Sequence, residues 1–142
     1  MTSFDAAALA QAAIDARQQA YVPYSHFAVG AALLAEDGRV FTGCNVENAA
    51  YSVTNCAERT ALFKAVSEGA RTFRALAVAG APQDTDPAGH LPACPPCGVC
   101  RQALFEFTGP QLPVVLALGG GAYETHTLGE LLPHAFGPND LL

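Results

Sequence analysis

The chain has 142 residues, of which 51% are hydrophobic and only 14% are charged. This length suits one domain with a substantial core, so we expect a single domain over residues 1–142. The low charged fraction predicts that some surface is hidden between subunits as well as in the core. The net charge of −6 argues against a nucleic-acid partner, since proteins usually meet a polyphosphate backbone with clustered Lys and Arg.

Two further exclusions come from the pattern of apolar residues and cysteines. No apolar run approaches the ~20 residues of a membrane span, and the first residues lack the basic-then-apolar pattern of a secretory signal. We therefore expect a cytoplasmic protein with no membrane partner. The chain has five cysteines, and an odd number without a secretory signal favours metal binding or free thiols over a disulfide framework.

The predicted elements alternate between helices and strands. Ser3 is a candidate cap for a first helix that runs to about Ala20, because apolar and alanine positions recur there at helical spacing. Residues 29–35 and 39–44 flank an Asp-Gly turn and should form an antiparallel hairpin. The later predicted elements are a helix at 56–67, a strand at 75–79, a helix at 98–107, a strand at 114–118, an edge strand at 123–127 and a short helix at 128–132. Together they predict an α/β fold of three layers, α-β-α, with a mixed sheet of about five strands.

Two cysteine motifs carry the strongest chemical signal. Cys56 stands two residues before Glu58, and Cys97 and Cys100 form a Pro-Cys-x-x-Cys motif further along the chain. Three cysteine ligands leave the fourth position of a tetrahedral Zn²⁺ site open for water, as in catalytic sites. A ligand two residues before a glutamate, followed by Pro-Cys-x-x-Cys, is the signature of the zinc deaminases. Each motif starts a predicted helix, whose positive end favours thiolates.

Three thiolates bring more negative charge than Zn²⁺ can neutralise, which would make a zinc-bound water less acidic. Arg59 lies three residues after Cys56 and Arg101 directly follows Cys100, so we expect both to offset this charge by hydrogen-bonding thiolate sulfurs. Cys94 offers an alternative, because a fourth thiolate would close the site and make it structural. The prolines at positions 95 and 96 stiffen that approach, and we interpret Cys94 as a loop residue. A redox pair is disfavoured, since the motif does not follow a strand within a βαβ unit.

Five sequence blocks extend this signature over nearly the whole chain: YSHFAVGA at 24–31, GCNVENA at 43–49, CAERTA at 56–61, PCGVCRQ at 96–102 and LLPHAF at 131–136. With these blocks the chain resembles the cytidine deaminase family in its small homotetrameric, three-cysteine form. The resemblance implies one Zn²⁺ per subunit, held by Cys56, Cys97 and Cys100. It also implies hydrolytic deamination of cytidine and 2'-deoxycytidine to uridine and 2'-deoxyuridine, with release of ammonia, in pyrimidine salvage.

The same resemblance assigns roles to residues outside the cysteine motifs. Glu58 is expected to take a proton from the attacking water, protonate N3 of cytosine and later protonate the departing amine. Asn45 and Glu47 are expected to bind the ribose 3'-hydroxyl, Phe27 to pack on the base, and the backbone of Ala57 to read its polar edge. Residues from a neighbouring subunit should complete each shared pocket of the homotetramer: Ala49, Tyr51 and Phe136.

Departures from the family pattern and rival functions are few. Ala28, Ser52 and Pro95 stand where proline, glycine and serine are common in the family, and serine at position 52 disfavours the backbone angles that only glycine adopts easily. The nearest rival is a related deaminase of a nucleoside antibiotic such as blasticidin S, although Asn45 and Glu47 favour an ordinary nucleoside. A deaminase acting within RNA or DNA would need a basic track. The third rival is a non-enzymatic zinc module closed by Cys94.

Overall fold

One five-stranded sheet forms the centre of the protein in a computed structural model that describes residues 3–142. Its spatial order is β2-β1-β3-β4-β5. β3 and β4 run parallel, while the other neighbouring pairs are antiparallel. The mixed sheet of five strands is therefore confirmed. The strands are β1 (Phe27–Ala35), β2 (Val40–Cys44), β3 (Phe73–Pro82), β4 (Pro113–Gly119) and β5 (Ala122–Thr127).

Helices cover both faces of this sheet, which gives the three predicted layers. The helices are α1 (Ala6–Ala16), α2 (Ala57–Ser67), α3 (Gly98–Phe105) and α4 (Leu128–Leu131). One apolar cluster joins Leu9 and Ile14 of α1 to alternate, mostly alanine positions of the sheet. A second cluster joins residues of α2, α3 and α4 to the remaining inward positions, such as Leu33 and Leu76. Because strand side chains alternate between faces, the three central strands β1, β3 and β4 each contribute to both clusters.

The layer formed by α1 approaches the sheet unusually closely. A Cβ atom at Gly30 in β1 would collide with the carbonyl oxygen of Ala13 and lie 2.7 Å from the backbone nitrogen of Arg17. Only glycine therefore permits this packing. The end of α1 and the 3₁₀-helix Arg17–Gln19 that follows it are thereby seated directly on the first half of β1.

The element boundaries differ from the predicted ones at several places. The side chain of Asp5, not Ser3, caps α1 by accepting a hydrogen bond of 3.0 Å from the backbone N–H of Ala8. A carboxylate at this position also benefits from the positive end of the helix. The α-helix ends at Ala16, and α3 ends two residues before the predicted Phe107. No helix among residues 3–142 has both the length and the apolar character needed to cross a lipid bilayer.

The two ends of the sheet are chemically different. At one end, called here the site end, β1 begins and β2, β3 and β4 finish; at the other, the far end, β1 finishes and β3 and β4 begin. β3 is longer than predicted because its last residues, up to Pro82, pair with the start of β1 at Phe27. Both cysteine motifs lie at N-termini of helices packed on one face of this sheet.

Candidate active site

Three cysteine sulfurs converge at the site end. Cys56 is the N-cap of α2, Cys97 is the N-cap of α3, and Cys100 lies in the first turn of α3. Their Sγ atoms all lie within 4.8 Å of one another, and those of Cys56 and Cys97 are 3.7 Å apart. Within residues 3–142, this is the one such group of three or more potential ligand side chains. Three convergent thiols are the soft donor set that suits Zn²⁺ with a fourth position left open.

The surroundings of Cys56 favour its thiolate form. Two hydrogen bonds lower the pKa of Cys56: the larger contribution comes from the Cys100 thiol and the smaller from the Arg59 guanidinium. The Nη2 atom of Arg59 donates to the Sγ atom of Cys56 over 3.3 Å. This contact confirms the predicted hydrogen bond from Arg59 to a ligand sulfur. It supplies positive charge next to a site that otherwise gathers three negative groups.

The corresponding prediction for Arg101 is wrong. Its Nε atom donates to the carbonyl oxygen of Pro96 over 2.7 Å, and its Nη1 atom donates to that of Leu131 over 2.6 Å. Leu131 is the last residue of α4, so its carbonyl has no partner within that helix and is available to the guanidinium. Arg101 therefore ties the segment entering α3 to the end of α4 and makes no hydrogen bond to a sulfur.

Glu58 lies beside the sulfur cluster without belonging to it. The residue occupies the first turn of α2 and is only 4% exposed. Burial, reinforced by the nearby charge of Cys56, raises the pKa of Glu58 to about 7. A carboxyl group with such a pKa can both accept and donate a proton near neutral pH, which is the property that general acid–base catalysis requires.

Cys94 lies close to the site but outside the sulfur cluster. Burial raises the pKa of its thiol to about 11. Its side chain packs over Gly80 of β3, where an added Cβ would lie 2.5 Å from the Cys94 sulfur and 3.1 Å from Cε2 of the Phe27 ring. The interpretation of Cys94 as a loop residue agrees with this placement.

Asn45 and Glu47, predicted only as ribose ligands, also hold the backbone around β1. The Nδ2 atom of Asn45 donates to the carbonyl oxygen of Phe27, and its Oδ1 atom accepts from the N–H of Val29, both over 2.9 Å. Glu47 accepts from the backbone N–H groups of Tyr24 and Ser25 over 2.9 and 3.1 Å, and from the Ser25 hydroxyl. These bonds lower the pKa of Glu47 and so keep it ionised.

The residues predicted to serve a neighbouring subunit lie at the surface. Tyr51 is 74% exposed and Phe136 is 60% exposed, and Ala49 is exposed as well. The Tyr51 ring meets the Tyr24 ring of its own chain edge to face, with centroids 5.9 Å apart. Both tyrosines line a cavity of about 370 Å³ beside Glu47. Tyr51 is thus close to Glu47, one of the two predicted ribose residues of its own chain.

The departure at position 52 causes no backbone strain. Ser52 lies in the 3₁₀-helix Tyr51–Val53, and the non-glycine residues with positive φ in the described chain are His26 and His134. The long loop before the second cysteine motif is anchored too, since Leu91 is buried and its N–H donates to the carbonyl oxygen of Leu118 over 2.8 Å. This anchor fixes the loop a few residues ahead of Cys94.

Comparisons with known proteins agree with this geometry. A family model described as the zinc-binding region of cytidine and deoxycytidylate deaminases matches residues 4–116. A cytidine deaminase from Sporosarcina psychrophila is 57% identical over 126 residues, which are 89% of this chain and 87% of that protein. The crystal structure of cytidine deaminase from Burkholderia pseudomallei superimposes with a TM-score of 0.82 at 49% identity, covering 94% of this chain and 100% of the other.

The chain therefore belongs to the zinc-dependent cytidine and deoxycytidylate deaminase family. Within that family, the relatives that match it at high identity are named cytidine deaminases. A blasticidin-S deaminase from Bacillus cereus is more distant, with 30% identity over 105 residues, or 74% of each chain. The rival based on nucleoside antibiotics is thus disfavoured.

Proposed function

We propose that this protein is a zinc hydrolase that deaminates cytidine and 2'-deoxycytidine to uridine and 2'-deoxyuridine, with release of ammonia. The observation that carries the proposal is the open cluster of three cysteine sulfurs beside a buried glutamate that is not a ligand. Membership of the deaminase family fits this arrangement. A closed structural site would use four protein ligands and would need no carboxylate beside them.

The chemistry divides between the metal and Glu58. One Zn²⁺ per subunit, held by Cys56, Cys97 and Cys100, would supply an acidified water molecule when bound. Glu58 accepts a proton from the attacking water and donates to N3 of cytosine, so that C4 becomes electrophilic. The water oxygen bonds to C4, and Glu58 then carries the second proton from this new hydroxyl to the amine at C4. The C4–N bond breaks, ammonia leaves with its electron pair, and uridine remains.

Arg59 would support this site by offsetting thiolate charge. Its hydrogen bond to the Cys56 sulfur draws electron density away from the ligand, which makes the thiolate a weaker donor to the metal. The zinc would then remain a stronger Lewis acid than three unassisted thiolates allow. Arg101 would act on the site indirectly, because it fixes the backbone of Pro96 directly before Cys97.

The ribose residues retain unused hydrogen-bonding capacity. An ionised carboxylate offers about four acceptor sites, and Glu47 uses three of them within the chain. Asn45 likewise keeps one N–H and one lone pair after its two contacts with β1. Both side chains are already oriented, so a ribose 3'-hydroxyl could be bound at little entropic cost. Phe27 would pack on the base and the backbone of Ala57 would read its polar edge.

The distribution of positive charge favours a nucleoside over a 5'-nucleotide as the substrate. The chain contains seven Lys and Arg in total, and six of them already donate to carbonyl, carboxylate or sulfur acceptors. The remaining one, Lys64, lies in the last turn of α2, away from the cysteine cluster. Ionised Glu47 would also repel a phosphate nearby. The six engaged side chains are Arg17, Arg39, Arg59, Arg71, Arg74 and Arg101.

We further propose a homotetramer with shared active sites, working in the cytoplasm in pyrimidine salvage. Support comes from large hydrophobic side chains left exposed on the single chain, including Tyr51, Val53 and Phe136. The carbonyl oxygen of Phe136 accepts from Nε2 of Gln102 over 2.8 Å, so the backbone of Phe136 is anchored to α3, two residues after Cys100, while its ring remains exposed. Ala49, Tyr51 and Phe136 would each complete the pocket of a neighbour.

The proposal is tested by following ammonia release and the ultraviolet change that accompanies conversion of cytidine to uridine. The purified protein should turn over cytidine and 2'-deoxycytidine, and should act poorly on cytidine 5'-monophosphate. Sedimentation at the assay concentration should give a tetramer. A protein fully loaded with zinc that releases no ammonia from either nucleoside would overturn the proposed function.

A further inference from the structure

Arg17 is a buried charged residue that the deamination chemistry does not use. The side chain is only 4% exposed, and it follows α1 directly. Its Nε atom donates to the carbonyl oxygen of Ala28 over 2.9 Å, and its Nη2 atom donates to those of Ala81 and Pro82 over 3.1 Å each. Burying a guanidinium is costly unless its donors are satisfied. Three carbonyl contacts offset that cost here.

The three carbonyl groups belong to two strands that meet at the site end. Ala28 in β1 is the register partner of Ala81 in β3, and the next pair along is Phe27 with Pro82. Arg17 therefore spans the last two rungs of the β1–β3 ladder. The close seating of α1 on Gly30 brings Arg17 into reach, because any larger residue at that position would push the helix end away from β1.

Two side chains hold the backbone from Phe27 to Val29. Asn45 binds the carbonyl oxygen of Phe27 and the N–H of Val29, while Arg17 binds the carbonyl oxygen of Ala28, between them. Alternation along β1 directs Phe27 to the face covered by α2, because Ala31 and Leu33 pack there. The Phe27 ring therefore shares its face of the sheet with the helix that carries Cys56 and Glu58.

We propose that Arg17 is a positioning residue for the nucleobase, because it locks the ends of β1 and β3 so that the Phe27 ring keeps its place on the face of the sheet that α2 covers. The inference rests on the proposed function, in which Phe27 packs on the base. Arginine suits this task better than lysine, since a rigid planar fork can bind several carbonyls at once. Loss of the fork would free the strand ends and loosen the contact between ring and base.

Arg17→Lys tests the proposal, with Arg71→Lys as the matched control. Arg71 also donates to two backbone carbonyls, those of Val66 and Ala70, but at the C-terminal end of α2. Because a stacking contact is made in ground and transition states alike, its loss should raise KM and change kcat much less. We expect Arg17→Lys to raise KM for cytidine about 3- to 10-fold, the value of one aromatic contact, and Arg71→Lys to leave it unchanged.

A double-mutant cycle with Phe27→Leu separates positioning from general destabilisation. If Arg17 acts through Phe27, adding Arg17→Lys to the Phe27→Leu protein should raise KM no further. Zinc content and melting temperature are measured for every variant. Arg17→Gln, which keeps one amide donor, takes the place of Arg17→Lys if that variant fails to fold.

An unchanged KM in the Arg17 variant, or fully additive effects in the cycle, would overturn the positioning role. A fall in the active fraction that follows the loss of melting temperature, with KM constant, would do the same by assigning Arg17 to stability alone. Wild-type protein without deaminase activity would instead overturn the proposed function, and this inference with it. The wild-type assay thereby distinguishes the two failures.

Discussion

The two ends of the sheet differ, because the larger of the two cavities lies at one end and the reactive side chains lie at the other. The far end has the larger cavity, about 550 Å³, lined among others by Arg74, His126 and Glu130. The site end has a smaller cavity of about 370 Å³ beside Glu47 and the cluster of three cysteine sulfurs. At the far end, no comparable group of ligand side chains converges among residues 3–142. Cavity size alone would therefore have selected the wrong end.

The direction of the elements explains why the reactive groups gather at the site end. The parallel strands β3 and β4 both finish there, and ligands in open α/β sheets bind outside the carboxyl ends of the strands. The N-termini of α2 and α3 also lie there, carrying Cys56 and Cys97 as their N-caps. Their positive ends stabilise thiolates. At the far end, the same helices offer no such field for an anionic ligand.

The largest expected effect comes from removing a metal ligand. Cys97→Ala should lose nearly all bound zinc and with it all measurable turnover, because two thiolates cannot complete the site. Cys94→Ala is the matched control and should retain full zinc content and turnover, since Cys94 lies outside the sulfur cluster. Zinc is measured by atomic emission on dialysed protein. Loss of zinc from Cys94→Ala would contradict the open site and favour a closed one.

Removing the proposed proton carrier should have the next largest effect. Glu58→Gln keeps the size of the buried side chain and cannot exchange protons, so we expect turnover to fall by about 10²- to 10⁴-fold with zinc retained. Glu130→Gln makes the same change at the far end and should leave turnover unaffected. Both variants are assayed with cytidine. A Glu58→Gln protein with normal turnover would remove Glu58 from the mechanism.

Loss of the Arg59 guanidinium should have an intermediate effect. Arg59→Ala removes the hydrogen bond to the Cys56 sulfur, and loss of such a contact to a ligand typically costs about 10- to 100-fold in metal affinity or activity. Arg74→Ala is the control, because Arg74 donates to the carbonyl oxygen of Ser3 and lines the far-end cavity. Unchanged turnover of Arg59→Ala at neutral pH would show that the thiolate charge needs no compensation.

The smallest effect is expected from the capping box at the far end. Thr127 N–H and hydroxyl donate to Glu130, whose own N–H donates back to Thr127. These bonds lower the pKa of Glu130 below its ordinary value of 4.5. The ionised carboxylate therefore stabilises the fold above that value and loses this contribution as pH falls through the folded-state pKa.

Glu130→Gln should accordingly lower the melting temperature slightly at neutral pH, and the difference from wild type should vanish in acid. Thermal denaturation followed by circular dichroism across the acidic range checks this. A difference that persists at the lowest pH would mean that the capping contact does not depend on ionisation.

The sequence predicts the residues that react better than those that hold them in place. Spacing was enough for the cysteine cluster, because Cys97 and Cys100 share one helical turn and Cys56 opens another. It failed for Arg101, whose guanidinium reaches Leu131, a carbonyl brought near only by the folded chain. The cap at Asp5 was missed because Ser3 is an equally good capping type.

The contacts of Arg17 are even harder to predict from the sequence than those of Arg101. Nothing in the local sequence indicates that an arginine after an alanine-rich helix is buried, since such a position usually faces solvent. Its three acceptors lie 11 to 65 residues away in sequence. Contacts of this range depend on strand pairing, which a single sequence does not specify.

The central claim is that the site end holds an open zinc site of three thiolates, and X-ray absorption at the zinc edge tests it most directly. The account predicts three sulfur scatterers and one oxygen or nitrogen scatterer for both wild type and Cys94→Ala. Four sulfur scatterers in the wild type, falling to three in Cys94→Ala, would contradict it.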